Sequence, residues 1–421
     1  MERLAATQAA AFVTPAAPVA TVRVVDLATG TLTVQVDRTA RAGLTPDAAR
    51  YDLDALVGFA ARANAKRGFL FVSKVLGKHW PVRPDAMQQL HQSLARDLPP
   101  DLPGPVVFIA MAETAVGLGQ GVFEAWLAGG DASAAARAAL FLHTTRYRVG
   151  DGPLIEFEEA HSHAPRQFLH LPTDPALAAL LMQARSLVLV DDEASTGNTF
   201  VNLAAACRAV APAIEHVHLV TITNFMGDNG TRQLLGRFGV RVTHNAALEG
   251  AFRFEAGQLA TAAAPAQLYD ATADRGASAG FGRLGVGHAL APACFLQLAG
   301  QLATEVHPGQ RVLVLGTGEF MHPAFLLGRA LAAHGVDVVV QSTTRSPILV
   351  WGAVASAVSF PDNYGEGVAN YLYNVAPGQY DHVLVCHETP PGAALFELAT
   401  KLGARLFHFK SEKLVEEIPV R

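Results

Sequence analysis

The chain has 421 residues, 50% of them hydrophobic and only 16% charged, with a formal net charge of -5. At roughly 150 residues per domain this length predicts two or three domains, and the apolar share excludes general disorder. The acidic balance argues against a nucleic-acid binder, whose footprint is basic, and no stretch reaches the ~18 uninterrupted apolar residues of a membrane span.

Residues 1–20 are alanine-rich, broken by prolines and without a basic leader, and read as a loose tail. Two alternating runs around "ATG" predict a β-hairpin over 21–37. The spacing over 45–68 predicts a helix, followed by the short strand "FLFVS". Residues 105–130 read as a buried strand, a glycine-containing turn and a helix. "AALFLHTT" predicts another strand, leading into a long polar loop up to Arg166. Strands follow at 187–190 and in "HVHLVTITNF", the first with a helix behind it. An Ala/Gly-rich stretch over 256–285 predicts a linker, and "RVLVLGTGEF", "VDVVVQSTTRSP" and "HVLVCHETPP" begin a second unit. Continuous apolar strands alternating with helices indicate parallel sheets covered on both faces. The expected division is a tail over 1–20, an α/β domain over 21–270 and a second, Rossmann-like α/β domain over 271–421. Cys207, Cys294 and Cys386 show no paired spacing, which suits a reducing cytoplasm.

The most informative stretch is "LVLVDDEASTGNTF" at 187–200. Ligands of open α/β sheets bind beyond the carboxyl ends of the strands, where helix N-termini converge. Asp191 and Asp192 offer acceptors to a polyol there, while Ser195, Thr196, Gly197, Asn198 and Thr199 open a helix whose free N–H groups suit a phosphate. A ribose 5-phosphate matches both halves. The alternative is a helix cap with a surface carboxylate.

This run resembles the PRPP-binding motif of type I phosphoribosyltransferases, which has four hydrophobic residues, two acids and a T-G-x-T-like loop. The resemblance implies that Asp191 and Asp192 hold the ribose hydroxyls, that Glu193 and 195–199 belong to the PRPP site, and that Mg²⁺ bridges pyrophosphate and ribose, largely through PRPP and water. A second loop for the pyrophosphate fits Ala112, Glu113, Thr114 and Ala115; an ordinary strand–helix connection is its rival. The segment 144–166, with Arg146, Arg148, His161, His163 and Arg166, suits a lid over the departing pyrophosphate. Its "EFEEAHSHA" could instead bind a transition metal or be a plain loop. Arg67, Lys74 and Lys78 are candidates for a hood over the acceptor, or simply a solvated basic face.

"RGFLFVSKVLGKH", "AETAVGLGQ" and "EEAHSHA" narrow the resemblance to orotate-phosphoribosyltransferase-like proteins of tellurite-resistance and stress gene clusters. These carry a C-terminal domain named for a Thr-Arg-Ser-Pro motif, and this chain reads "TTRSP" at 343–347. The family implies an enzyme that makes or processes a nucleotide-like molecule from PRPP and a nitrogenous base-like acceptor, with a homodimer suggested. In the second unit, Gly316 and Gly318 form a glycine turn, but the next strand ends without the carboxylate an adenosine ribose requires, which disfavours NAD. Arg345 among Thr344, Ser346 and neighbouring hydroxyls suits a phosphate in a second, separate site, with Glu319, His322, Asp362, Asn363 and Tyr364 as further candidates. Against this stands an Arg345 that merely pairs with a carboxylate across the domain boundary. No covalent nucleophile is required for the transfer; Asp191, His161 or His163 is expected to serve as acid or base. Two rival readings are a PRPP-sensing regulator without chemistry and a bifunctional enzyme whose C-terminal domain processes the phosphoribosylated product.

Overall fold

A computed structural model describes residues 20–37, 51–62, 67–129, 138–158, 166–257, 280–290 and 293–420. The expected tail up to residue 19, most of the expected linker, and His161 and His163 lie outside the described residues, and Ala20 already belongs to the first strand. Among the described residues, no helix is long and apolar enough to cross a membrane.

The larger sheet has seven strands, in the order Ala20–Leu27, Gly30–Asp37, Arg241–Ala256, His216–Asn224, Ser186–Ala194, Val106–Ala110 and Ala139–His143. The last five run parallel, and the N-terminal hairpin extends the sheet antiparallel to the far half of the long strand Arg241–Ala256. Val106–Ala110 and His216–Asn224 are buried along their whole length, as strands covered on both faces must be. The helix Val116–Ala128 lies close against the sheet because Gly119 lacks a side chain: a Cβ there would stand 2.4 Å from the Cβ of Ala110.

Three local expectations are revised. The helix expected over 45–68 is, where described, a single turn at Leu53–Leu56, then a strand Val57–Ala61 paired antiparallel with Phe69–Ser73. Pairing wins over helical spacing because Phe71 joins Phe69, Phe225 and Phe252 in an aromatic cluster that the strand pair brings over the sheet. The polar segment after Thr145 is not only loop; Leu154–Glu158 and Arg166–His170 form a small antiparallel pair. The strand carrying the acids also runs further than expected, to Ala194, pairing Asp191 with Thr221 and Glu193 with Thr223. Its other neighbour stops at Ala110, opposite Val190, so the acids stand on backbone that has outrun one side of the sheet.

The second sheet is ordered Asp337–Ser342, Arg311–Gly316, His382–His387, Arg405–Ser411 and Leu414–Ile418, parallel except for the last strand. Its open edge is covered by the segment after Ser73: Val82 and Val340 exchange both backbone hydrogen bonds, and Ser342 N–H donates to the Gly77 carbonyl. On the first sheet, Phe141 and Val286 do the same for the edge strand Ala139–His143. Each sheet thus has an exposed edge closed by a neighbouring segment, which removes a template for aggregation.

Gly119→Ala should lower the melting temperature even though alanine is the better helix former. The clash is expected to cost about 1–3 kcal/mol, against a propensity gain of about 1 kcal/mol. Calorimetric melting checks this; a higher melting temperature would mean the helix does not rest on Ala110.

Candidate active site

Asp191, Asp192 and Glu193 are half-buried on the extended part of their strand. Burial, reinforced by the charge of Glu193, pushes the Asp192 carboxyl up to about 6. Arg67, from the turn before Phe69, donates through Nη2 to both oxygens of Glu193 at 2.6 and 2.8 Å, with its guanidinium 4.8 Å above the Phe69 ring. Ser195, Asn198 and Thr199 are half-buried and Thr196 is exposed. Gly197 has φ of 68° and a Cβ there would meet Leu234, so glycine is required where the turn enters the helix Asn198–Val210. Among the described residues no side chain caps that helix, which leaves its first amides facing the turn.

The 111–115 loop begins beside the acids: Met111 N–H donates to the carbonyl of Val190, directly before Asp191. Ala112 N–H donates to Thr144 Oγ1 at 2.8 Å, and Ala112 and Ala115 are buried while Thr114 is half-buried. Glu113 is buried with both oxygens engaged. Lys78 Nζ lies 2.6 Å from Oε1, and Arg345 Nε donates to Oε2 at 3.2 Å. Burial by itself would raise this carboxyl, but the Lys78 ammonium and the Arg345 guanidinium outweigh it and hold it at about 2. Arg345 also donates from Nη1 to Glu366 Oε2 at 2.7 Å and lies 5.1 Å from the Tyr147 ring centroid.

Beyond Arg345, the residues expected to make a separate phosphate site are taken up by internal hydrogen bonds. Lys78 Nζ and Ser342 Oγ donate to the Gly318 carbonyl at 2.8 and 2.9 Å, and Gly318 N–H donates to Thr343 Oγ1 at 2.9 Å. Gly316 is a buried strand end, and the Tyr364 ring fills the space beside Gly318. Thr344 exchanges backbone hydrogen bonds with Tyr371, and Ser346 Oγ accepts from Arg62. Glu319 accepts from Thr145 Oγ1 and the Arg146 N–H and is paired with Arg283, which also holds Glu388 at 2.6 Å. Arg345 faces the 111–115 loop, pairing with Glu113 across the boundary where the ends of the two sheets meet.

Three of the expected groups thus come together: the acids with their turn, the 111–115 loop, and Arg67 with Lys78. Lys74 does not join them, since its Nζ donates to the Asp54 carbonyl and lies near the Trp80 ring. Arg146 is half-buried at the start of the segment after the strand Ala139–His143. Sequence reasoning missed Arg283, hidden in the Ala/Gly-rich stretch read as linker; its only signal was a basic residue between glycines in "GFGRLG". It also missed Tyr147, whose ring stacks on Tyr364 with centroids 4.4 Å apart. Among the described residues, no three His, Cys, Asp or Glu are grouped to hold a metal ion.

A family model described as "Phosphoribosyl transferase" matches residues 56–251, and a second, described as "TRSP domain C terminus to PRTase_2", matches 281–402. No curated protein matches the chain. Among solved structures, similarity is found to an adenine phosphoribosyl transferase from Trypanosoma brucei in complex with AMP, pyrophosphate and ribose-5-phosphate, at 13% identity over 49% of this chain and 81% of that one, with a TM-score of 0.34. An adenine phosphoribosyltransferase from Leishmania tarentolae shares 15% identity over 39% of this chain and 71% of that one, TM-score 0.27. A hypoxanthine phosphoribosyltransferase from Staphylococcus aureus shares 12% over 41% and 79%, TM-score 0.24.

Lys78→Met removes one of the two cations on Glu113 and leaves the carboxylate under-neutralised inside the protein. Breaking a buried pair this way typically costs about 3–5 kcal/mol, seen as a lower denaturant midpoint. The pH dependence has a definite sign. Glu113 is held below its ordinary value of 4.5, so its contribution to stability is complete above that value and lost as pH falls toward about 2. In Lys78→Met the carboxyl rises and the acid limb of the stability profile should move to higher pH. An unchanged acid limb would mean that Lys78 does not set the charge of Glu113.

Proposed function

The chain belongs to the phosphoribosyl transferases that carry a C-terminal TRSP domain, and it is a pentosyltransferase; we propose that it uses PRPP with Mg²⁺, transferring ribose 5-phosphate to a nitrogenous base-like acceptor and releasing pyrophosphate. The observation that carries this reading is the placement of Asp191 and Asp192 on a strand that has outrun one neighbour, with Asp192 six residues before the first residue of a helix that no described side chain caps. Carboxylate acceptors and helix amides stand at the two ends of one short turn, which suits a sugar whose hydroxyls and phosphate lie at opposite ends.

In this reading Asp191 and Asp192 accept from the ribose hydroxyls, and Ser195 to Thr199 donate to the 5-phosphate. The 111–115 loop receives the pyrophosphate, and the segment beginning at Arg146 covers it. Arg67 anchors Glu193 beside the acids and, with the aromatic strand pair, forms the wall facing the acceptor. The residues fit Mg²⁺: a hard cation takes oxygen ligands and water, and Asp192 sits where burial and Glu193 make its negative charge costly, so a nearby cation is favourable. When bound, the ion would offset charge developing on the leaving oxygens. Electrostatics aimed at an oxocarbenium-like ribose and its leaving group do the chemistry, and no covalent nucleophile is involved.

Asp191→Asn combined with Asp192→Asn should keep the fold and weaken PRPP binding in Mg²⁺ by roughly 10- to 100-fold for each charge-assisted hydrogen bond removed. Calorimetric titration measures it; equal affinity in the folded double variant would reduce the motif to a capped turn. Asp192 adds a pH signature. Its carboxyl is raised above 3.8, so the fold favours the protonated form; that contribution is present below this value and lost as pH rises through about 6. Binding that needs the carboxylate should therefore weaken as pH falls below about 6, with protons released on binding there, and Asp192→Asn should flatten that dependence.

A further inference from the structure

We infer that Arg345, from the second sheet, is part of the transferase site and donates through Nη2 to the pyrophosphate held by the 111–115 loop. The inference rests on the assignment of that loop to the pyrophosphate. Arg345 is only 9% exposed along its side chain, and its Nε and Nη1 are committed to Glu113 and Glu366. Among the described residues its buried Nη2 has no hydrogen-bond partner. In a guanidinium, Nε and Nη2 share one edge, so the uncommitted donor lies on the edge turned toward Glu113 and its loop. The Tyr147 ring lies 5.1 Å from the same guanidinium, and its hydroxyl is also buried with no hydrogen-bond partner among the described residues. Buried donors left open beside one loop call for an acceptor, and an anion with several oxygens supplies more than one.

Charge points the same way. An acid is a poor residue to offer a polyanion unless its charge is cancelled. Lys78 and Arg345 each take one oxygen of Glu113 and Glu366 takes Nη1 of Arg345, so the four side chains balance two positive charges against two negative and the charge of Glu113 is cancelled. Glu113 then works as an alignment post: it holds two cations at the loop while remaining ionised itself. The competing destination for Arg345, a phosphate on the glycine turn of its own sheet, is closed, because Lys78, Ser342, Thr343 and Tyr364 already occupy that turn. The Thr-Arg-Ser-Pro segment thus completes the site of the other sheet, and the first half of the chain lacks this donor without the second.

The test uses the full chain with Mg²⁺ and two probes, inorganic pyrophosphate and ribose 5-phosphate, titrated by calorimetry. Arg345→Lys keeps the charge and loses the planar fork. It should weaken pyrophosphate roughly 10- to 100-fold and leave ribose 5-phosphate unchanged. Unchanged pyrophosphate affinity in the folded variant overturns the inference, as does an equal loss for both probes. Should Arg345→Lys fail to fold, Tyr147→Phe removes only a hydroxyl: a several-fold loss for pyrophosphate alone supports the site, and no loss overturns it. Glu366→Gln, which frees Nη1 without touching the loop, should bind pyrophosphate at least as tightly as the parent; a loss as large as that of Arg345→Lys would mark Arg345 as a seam residue only. If the parent chain binds neither probe, the proposed function fails; if it binds both and only the variants disagree, this inference alone fails.

Discussion

Everything in the arrangement depends on one buried carboxylate. Glu113 sits where two sheets meet end to end, and an unpaired charge there would be prohibitive. Its two partners come from different places: Lys78 from the segment that pads the edge of the second sheet, and Arg345 from the end of that sheet's edge strand. Each cation is in turn tied down, Lys78 by the Gly318 carbonyl and Arg345 by Glu366 and the Tyr147 ring. Removing any one member leaves another buried and uncompensated. A buried network of this kind is weak evidence for net stability but strong evidence for a fixed relative placement of its parts. A second knot, Arg283 with Glu319 and Glu388, lies on the same seam and engages Thr145 and Arg146 of the first sheet.

The consequence is that the loops at the carboxyl ends of both sheets share one dry boundary. In an open α/β sheet that end is where ligands bind. Here the loop after Ala110 is covered by residues of the second sheet, and charges inside such a boundary interact more strongly than they would in water. The second sheet serves the first as a wall with cations set into it.

How much of this could be read from the chain followed from distance along it. The parallel strands were legible because burial on both faces writes itself as unbroken apolar runs, as in Val106–Ala110 and His216–Asn224. The acids and their glycine turn were legible because the chemistry is packed into consecutive residues. The strand Val57–Ala61 was misread as helix although its partner Phe69–Ser73 was read as a strand, since the aromatic neighbours Phe225 and Phe252 that hold the pair lie far away in sequence. Arg345 stood out as a guanidinium just past a strand end, but Glu113, the carboxylate it meets, is 232 residues earlier and nothing local names it. Arg283 was hidden altogether: composition reads the glycines around it as a linker, and only the two carboxylates it meets in space reveal that it is buried.

In the function proposed above, the two halves of the site also differ in exposure, and the difference has a physical logic. Thr196 is exposed and Asp191, Asp192 and Glu193 are half-buried, while Glu113, Tyr147 and Arg345 are almost entirely enclosed. A sugar phosphate needs specific hydrogen bonds, which hold in partial contact with water. A leaving group that gains charge as its bond breaks is stabilised best by fixed donors from which water is excluded, because they need not reorganise. Burying the cations is tolerable only because Glu113 and Glu366 compensate them before any ligand arrives. The acid at the centre of the loop, which on charge alone is the wrong residue for an anion site, is what allows Lys78 and Arg345 to wait there without solvent.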